Sequence, residues 1–163
     1  MDNLSNKILQ SDIIKIKDKL PEIFTKRKIN DSSTQDSFAF LAYSLSKYFD
    51  EPIDDVIEYI TEGSHDNNID ACCIKDDAGE DIEVHIFQSK YKSLDNLNKT
   101  ITTNEIRLFL DSVKKIFIDN DSNNLTVNTY LKDVISTYNE VLKGENISSI
   151  KLYINSYRDK YIK

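Results

Sequence analysis

The sequence predicts a single α+β domain, within the broad α/β class, in which helices flank a mixed central sheet. The spacing of apolar residues in three parts of the chain, together with the length of the chain, leads to this prediction. Apolar residues recur at helical spacing before residue 50, alternate as in strands between residues 56 and 92, and return to helical spacing after residue 100. A chain of 163 residues is long enough to bury one core. The predicted order of elements is α-α-β-β-β-α-α-β.

Two helices are predicted before residue 50. The first has an apolar face and ends near Pro21, and a basic loop over residues 25–28 follows. The second lies within residues 31–49, with Ser32 or Ser33 as its N-cap. Its apolar residues share one face: Phe38, Leu41, Leu45 and Phe49.

Three short strands are predicted next, because these segments are rich in β-branched residues and alternate in polarity. They cover residues 56–60, 69–75 and 81–92. The second and third are joined by a turn around Gly79, which predicts an antiparallel hairpin.

The last part of the chain predicts two helices and a strand. A helix over residues 104–117 follows a cap at Thr102 or Thr103, and a second covers residues 125–143. Residues 148–157 alternate as in a strand. The two helices have predicted buried faces: Ile106, Leu110, Val113 and Phe117 in one, and Leu131, Ile135, Tyr138 and Leu142 in the other.

These elements suggest an N-terminal helix and basic loop over residues 1–31 and a core over residues 32–163, within a single domain overall. The sequence stops soon after its last predicted strand. We therefore expect it to be the N-terminal part of a longer protein.

Composition limits the class of protein. The two cysteines, Cys72 and Cys73, are adjacent, so they form neither a disulfide framework nor a zinc cage. Apolar runs are too short to span a membrane, and the N-terminus lacks the layout of a signal peptide. We expect a cytoplasmic protein with no membrane partner.

Charge is distributed unevenly along the chain. The formal net charge is −7, but residues 31–86 hold two basic and fifteen acidic residues, a net −13. Residues 1–30 hold seven basic and four acidic residues, and residues 87–163 hold twelve and nine. The acidic block is either a solvated face or a set of carboxylates that collects divalent cations beside basic segments for an anionic substrate.

Three polar residues are predicted to meet at one end of the hairpin. Gln88 and Lys90 are two residues apart on a strand, so they share a face, and Asp70 begins the antiparallel neighbour. Carboxylate and amide oxygens suit Mg²⁺ or Mn²⁺, and a nearby lysine can hold a water or offset phosphate charge. The same spacing also fits a polar strand end at which Lys90 only pairs with Asp70.

A longer motif surrounds these residues. The sequence reads GSHDNNID from Gly63 to Asp70 and QSKY from Gln88 to Tyr91. It resembles the PD-(D/E)xK nuclease superfamily in its Mrr-like branch, whose pattern is a G-x-x-D-x-x-I-D turn and strand followed by Q-x-K. It is most similar to the N-terminal nuclease-like domain of the abortive-infection phage-resistance (AIPR) family. The match covers residues 56–92 and implies a restriction-endonuclease-like αβββαβ core.

The resemblance implies roles for individual residues. Asp70 matches the metal-binding aspartate, Lys90 matches the catalytic lysine, and Gln88 stands where most of the superfamily has Glu or Asp. The implied cofactor is Mg²⁺ or Mn²⁺. Asp66 matches the loop aspartate, for which a turn-capping role is equally open. Asp36 is the candidate acid of the first core helix, or else a first-turn helix charge.

Other candidates are weaker. His65 and Glu58 could add to the site, although a solvated loop histidine and a surface carboxylate are the simpler interpretations. Four basic residues are candidate nucleic-acid contacts: Lys26, Arg27, Lys28 and Lys92.

The resemblance implies a metal-dependent endonuclease that hydrolyses DNA phosphodiester bonds in bacterial anti-phage defence, with RNA as an alternative substrate. A second hypothesis is an inactive nuclease-fold module that binds nucleic acid or a protein. Other candidate partners are a second copy of the chain and further domains of a longer protein.

Overall fold

A computed structural model describes residues 4–77, 81–91, 101–144 and 147–156. It confirms a mixed α+β protein in which helices accompany a three-stranded sheet. The helices are α1 (Leu4–Lys17), α2 (Pro21–Arg27), α3 (Ser32–Phe49), α4 (Ile53–Val56), α5 (Thr103–Val113) and α6 (Thr129–Gly144). The strands are β1 (Ala71–Asp77), β2 (Asp81–Lys90) and β3 (Ile147–Ser156).

The described residues form two compact units. The first holds residues 4–58, residues 89–91 and Ser156, and the second holds the described residues from 59 to 88 and from 101 to 155. The division between a segment 1–31 and a core 32–163 stays a prediction.

The first unit is helical. Helix α1 packs on α3 through Ile13, Ala39 and Phe40. The predicted basic loop over residues 25–28 is wrong, because Pro21 begins a second short helix and Lys28 ends it in a left-handed conformation. Proline has the backbone angle of a first helical residue and needs no N–H there, so it favours this start.

The N-cap of α3 also differs from the prediction. Asp31, and neither Ser32 nor Ser33, has the extended backbone of a cap, and its carboxylate accepts a hydrogen bond from Thr34 N at 2.8 Å. This bond to Thr34 lowers the pKa of the Asp31 carboxyl. Adjacent cap-forming residues compete, and the one whose side chain reaches a free amide takes the position.

The predicted strand at residues 56–60 is wrong. Val56 ends α4, a 3₁₀ turn (Ile57–Tyr59) follows, and only Ile60 makes an isolated antiparallel bridge, to Ala71. Asp54 and Asp55 in the first turn favour the helical start. A short apolar run does not distinguish a strand from a buried helical turn, so periodicity alone was insufficient here.

The sheet of the second unit has the order β1-β2-β3. The predicted hairpin is confirmed: β1 and β2 are antiparallel, from the pair Ala71 and Phe87 to the pair Asp77 and Asp81. The turn at residues 78–80 lies outside the described residues. Ser148 contacts Ile82 and Tyr153 stacks on Phe87, so β3 advances along β2 in the same direction and the sheet is mixed.

The core of the second unit lies between the sheet and α5 and α6. The predicted α5 face is partly wrong, because Phe109 is fully buried and Leu110 is 45% exposed. Phe109 and Val113 are four residues apart on the buried face, and the π-helical turn Lys114–Ile118 that follows adds Ile116 and Phe117 to the core. In α6 the burial of Leu131, Ile135 and Tyr138 is confirmed, whereas Leu142 is exposed.

Candidate functional site

The segment before β1 is a compact loop organised by Asp66. One carboxylate oxygen of Asp66 accepts from Gly63 N at 3.1 Å, and the other accepts from Asn68 N at 2.9 Å. Gly63 has a φ of 151°, which side-chain-bearing residues rarely adopt, and Asn67 and Asn68 are left-handed. Both oxygens of Asp66 therefore cap the turn, which is the second of its two predicted roles.

The loop is attached to the segment that precedes α6. Asn128 donates from its side chain to Thr61 O at 2.8 Å and from its backbone to His65 O at 3.1 Å. The Asn67 amide donates to Thr126 O at 3.0 Å. These contacts join residues about 60 positions apart and hold the loop in one conformation.

The loop also fixes the backbone of Asp70. Its carbonyl oxygen accepts from Thr61 N and Glu62 N, both at 2.9 Å, and its N–H donates to Phe87 O at 2.9 Å. The paired register ends at Ala71 and Phe87, so Asp70 and Gln88 are the residues next to the last pair of the hairpin. Gln88 is two residues from Ile86 on β2, so it projects from the same face as Ile86, which lies in the core.

Asp70 and Gln88 are both buried. Asp70 is 8% exposed and Gln88 is 0% exposed. Neither polar atom of the Gln88 amide has a hydrogen-bond partner among the described residues. A buried amide normally has hydrogen-bond partners, so the Gln88 side chain is an exception that calls for a physical cause.

Two buried polar side chains of this unit, Asp70 and Gln88, carry little charge. Asp70 offers a carboxylate and Gln88 offers a neutral amide oxygen, both of which are hard ligands suited to Mg²⁺ or Mn²⁺. In the part of the chain that the structure describes, no group of three or more His, Cys, Asp or Glu side chains could hold a metal.

Two predicted site residues, Lys90 and Asp36, belong to the first unit. The Asp36 carboxylate accepts from Lys17 Nζ at 2.8 Å, which makes it an ion-paired group of the α1–α3 interface. Burial raises the pKa of the Tyr91 hydroxyl, and the charge of Asp36 adds to this effect. The meeting of Lys90 and Asp36 with Asp70 and Gln88 stays a prediction.

The remaining predicted residues are dispersed. Glu58 and His65 have exposed side chains. Lys26 and Lys28 are exposed, whereas the Arg27 guanidinium donates to Ile57 O at 3.1 Å and lies 5.2 Å from the centre of the Phe38 ring. Arg27 therefore has a packing role in the first unit. Lys92 lies outside the described residues.

Sequence reasoning missed a chain of polar side chains on β2 and β3. Glu83 accepts from Lys151 Nζ at 2.6 Å and lies 3.1 Å from His85 Nε2, and His85 Nδ1 is 3.2 Å from the Tyr153 hydroxyl. A carboxylate only accepts, so Nε2 of the neutral ring carries the hydrogen and Nδ1 accepts from Tyr153. Burial lowers the pKa of His85, and the bond from Lys151 lowers that of Glu83.

Residues two apart on a strand share a face, so the sequence could have predicted that Glu83 and His85 lie together on β2. Their partners on β3 depend on a strand register that the sequence does not contain.

Comparisons with protein-family models, with curated proteins and with solved structures find no match to this chain. Within the described residues, the helices are too short or too polar for any of them to cross a membrane.

Proposed function

We propose that the chain is a metal-dependent endonuclease domain that hydrolyses DNA phosphodiester bonds, with a role in bacterial anti-phage defence as part of a longer cytoplasmic protein. The motif formed by residues 63–70 and 88–91 suggests this function. The observation that carries it is two buried polar residues at one end of the hairpin: Asp70 directly precedes β1, and Gln88 lies near the end of β2 with an amide that lacks a partner among the described residues.

The order of elements supports a restriction-endonuclease-like core. Helices α3 and α4 and a 3₁₀ turn are followed by the Ile60 bridge, strands β1 and β2, helices α5 and α6 and strand β3. In this proposal the Ile60 bridge stands for the first strand of the αβββαβ order. Ala71 lies between the Ile60 bridge and β2, and the backbone of Asp70, directly before it, is also held from both sides, by Thr61 and Glu62 and by Phe87.

The residues present fit a divalent cation. The amide oxygen of Gln88 has no hydrogen-bond donor among the described residues, and Asp70 supplies a buried carboxylate; both groups are hard oxygen ligands. Asp70 and Gln88 would hold the ion. Bound Mg²⁺ or Mn²⁺ supplies a more acidic water and offsets negative charge that develops on the phosphate.

In this proposal Lys90 acts on the water and on the substrate. Its ammonium donates up to three hydrogen bonds, so it can orient a water toward phosphorus and offset the charge of a phosphate oxygen. Asp70 and Gln88 have backbones fixed by the sheet and loop, and this rigidity keeps their oxygens in position as substrate binds.

The test is cleavage of plasmid DNA and of labelled single-stranded DNA, duplex DNA and RNA, with Mg²⁺, Mn²⁺ or EDTA. We expect metal-dependent cleavage of DNA that Asp70→Asn and Lys90→Ala each reduce by about 100-fold or more. Asp133→Asn and Lys19→Ala change exposed residues of the same types and should leave cleavage intact. Absence of cleavage with either metal, or cleavage that survives both site substitutions, would refute the catalytic proposal.

The second candidate is an inactive module that binds nucleic acid or a protein partner. The observation in its favour is the low charge of the ligand set, with one carboxylate and one neutral amide. Binding of DNA in EDTA that weakens steeply with salt, with no cleavage in either metal, would support this candidate over the enzyme. Sedimentation of the same sample would show whether a second copy of the chain is a partner.

A further inference from the structure

Strand β3 is an edge of the sheet in the second unit. The strand order is β1-β2-β3, and β3 has 10 residues, Ile147–Ser156. Among the described residues, no strand pairs with the outer side of β3. An edge strand presents backbone N–H and C=O groups with which the strand of another chain can pair.

Two devices that commonly block such an edge do not operate on β3. Edge strands are often protected by proline or by charged side chains, above all lysine. The segment 147–156 contains no proline, and Lys151 is its single charged residue. Lys151 Nζ lies 2.6 Å from a carboxylate oxygen of Glu83 on β2, so its charge is offset within the same sheet.

One face of β3 is apolar and partly exposed. Ile150, Leu152 and Ile154 follow one another at intervals of two residues, so they share a face. Ile150 packs against the core of the second unit, whereas Leu152 is 41% exposed and Ile154 is 38% exposed. The apolar face of β3 therefore extends from the core into solvent.

The sequence of β3 is nearly palindromic about Leu152. Residues at equal distances on either side of it are alike, since Ile150 corresponds to Ile154 and Ser149 corresponds to Asn155. In an antiparallel pair of two copies with a two-fold axis at Leu152, these residues lie opposite each other. The axis also sets Leu152 against its own copy, so six aliphatic side chains form one row on the same face.

The other residues of the strand select this register. With the axis at Leu152, each Lys151 is opposite Tyr153 of the other copy, whereas an axis at residue 151 would set two lysines directly opposite each other. An axis at Tyr153 would set Ile150 against Ser156. A parallel pair related by a two-fold axis along the strands would put the apolar face of one copy beside the face of Lys151 in the other.

We propose that β3 pairs antiparallel with β3 of a second copy of this chain, about a two-fold axis at Leu152, and that the two sheets become continuous in a homodimer. The proposal does not rest on the nuclease proposal, because none of the residues proposed for the metal site belongs to β3. A single pair of strands buries less surface than a standard interface, so we expect a dissociation constant of about 1–100 μM.

The first experiment is sedimentation velocity of the full chain at concentrations from about 1 to 500 μM. We expect the mass to rise from that of one chain to twice that mass. Leu152→Lys sets two lysines opposite each other at the axis and should raise the dissociation constant about tenfold or more. The matched control is Leu142→Lys, which changes a leucine that is 43% exposed on α6, a helix that contacts β1 at the other side of the sheet. That variant should dimerise as the unmodified chain does.

Disulfide trapping tests the register. Opposite residues of an antiparallel pair have Cβ atoms about 4.5–5.5 Å apart, so a mixture of Ile150→Cys and Ile154→Cys chains should form mixed disulfides under mild oxidation. Each of these variants alone should not, because its two cysteines would be four positions apart along the strands, or roughly 13 Å. Leu152→Cys alone should cross-link with its own copy. The unmodified chain, with buried Cys72 and Cys73, gives the background.

Three outcomes would each overturn the proposal. The first is a chain that stays a monomer at the highest concentration, which would leave the β3 edge to a strand of a different protein. The second is a Leu152→Lys variant that dimerises as tightly as the unmodified chain. The third is cross-linking of Ile150→Cys alone that equals cross-linking of the mixture.

Discussion

Replacement of Gln88 by methionine should stabilise the protein and abolish metal-dependent activity. Buried substitutions usually destabilise, so the expected sign is unusual. The reason is that Gln88 is fully buried and both polar atoms of its amide lack partners among the described residues. Methionine has a similar volume and no group that requires a hydrogen bond.

The expected change in the free energy of unfolding for Gln88→Met is the difference between two opposing contributions. A buried amide without partners costs about 1–3 kcal/mol in proteins. A volume-conserving swap in a packed core costs less than about 1.5 kcal/mol. We expect a net gain of about 1–2 kcal/mol, or about 2–8 °C in the thermal midpoint for a chain of this length.

The assay is urea and thermal unfolding in EDTA, followed by the same scans with Mn²⁺. Gln88→Glu is the matched control, since it keeps the shape and adds a charge. In EDTA that variant should be less stable than the unmodified chain, because a buried carboxylate beside Asp70 is unfavourable, and Mn²⁺ should restore it. The reasoning is refuted if Gln88→Met loses more than about 1 kcal/mol in EDTA, because the amide must then have partners.

Three further predictions concern the fold. Phe109→Ala should cost about 3–5 kcal/mol in urea unfolding, whereas Leu110→Ala should cost less than about 0.5 kcal/mol, and equal costs would mean that the buried face of α5 is misassigned. The free energy of unfolding should fall as the pH drops below 6.5, the ordinary pKa of histidine, toward the lowered pKa of His85, because the unfolded chain then binds the proton more readily than the folded chain. The urea midpoint of His85→Gln should therefore depend less on pH between about 7.5 and 5.5 than that of the unmodified chain. An equal pH dependence of the two midpoints would contradict this prediction. Thr102→Ala removes the hydroxyl that accepts from Glu105 N at 3.2 Å and should cost about 1 kcal/mol by thermal unfolding, while a change below about 0.3 kcal/mol would argue against the cap.

Local patterns predicted the elements whose causes are local. The helical spacing of α3 and α6 and the alternation of β1 and β2 are each set by residues within a few positions of one another. The strand predicted for residues 56–60 was wrong because a helical turn buries the same apolar residues equally well. Asp31 was missed because three consecutive residues could each cap a helix, and only backbone geometry selects among them.

The candidate site was predictable only in part, because some of its contacts join residues that are distant in the sequence. The hairpin follows from the strand pattern, so the sequence could assign Asp70 and Gln88 to the same end of it. The ion pair between Lys17 and Asp36 joins two helices 19 residues apart, and no local pattern encodes it. The role of Asp66 stayed open until the amides of its own turn could be located.

The conformation of the loop before β1 explains most of the residues of the motif. Gly63 is required by its backbone angle, Asp66 by two amides, Asn67 and Asn68 by left-handed conformations, and Ile69 by a place in the core. Five of the eight residues of GSHDNNID are therefore accounted for by the conformation or packing of the loop, and the role proposed for Asp70 does not follow from that conformation. Another sequence with these letters would inherit the loop, and its activity would have to be judged from the residues at the ends of its two strands.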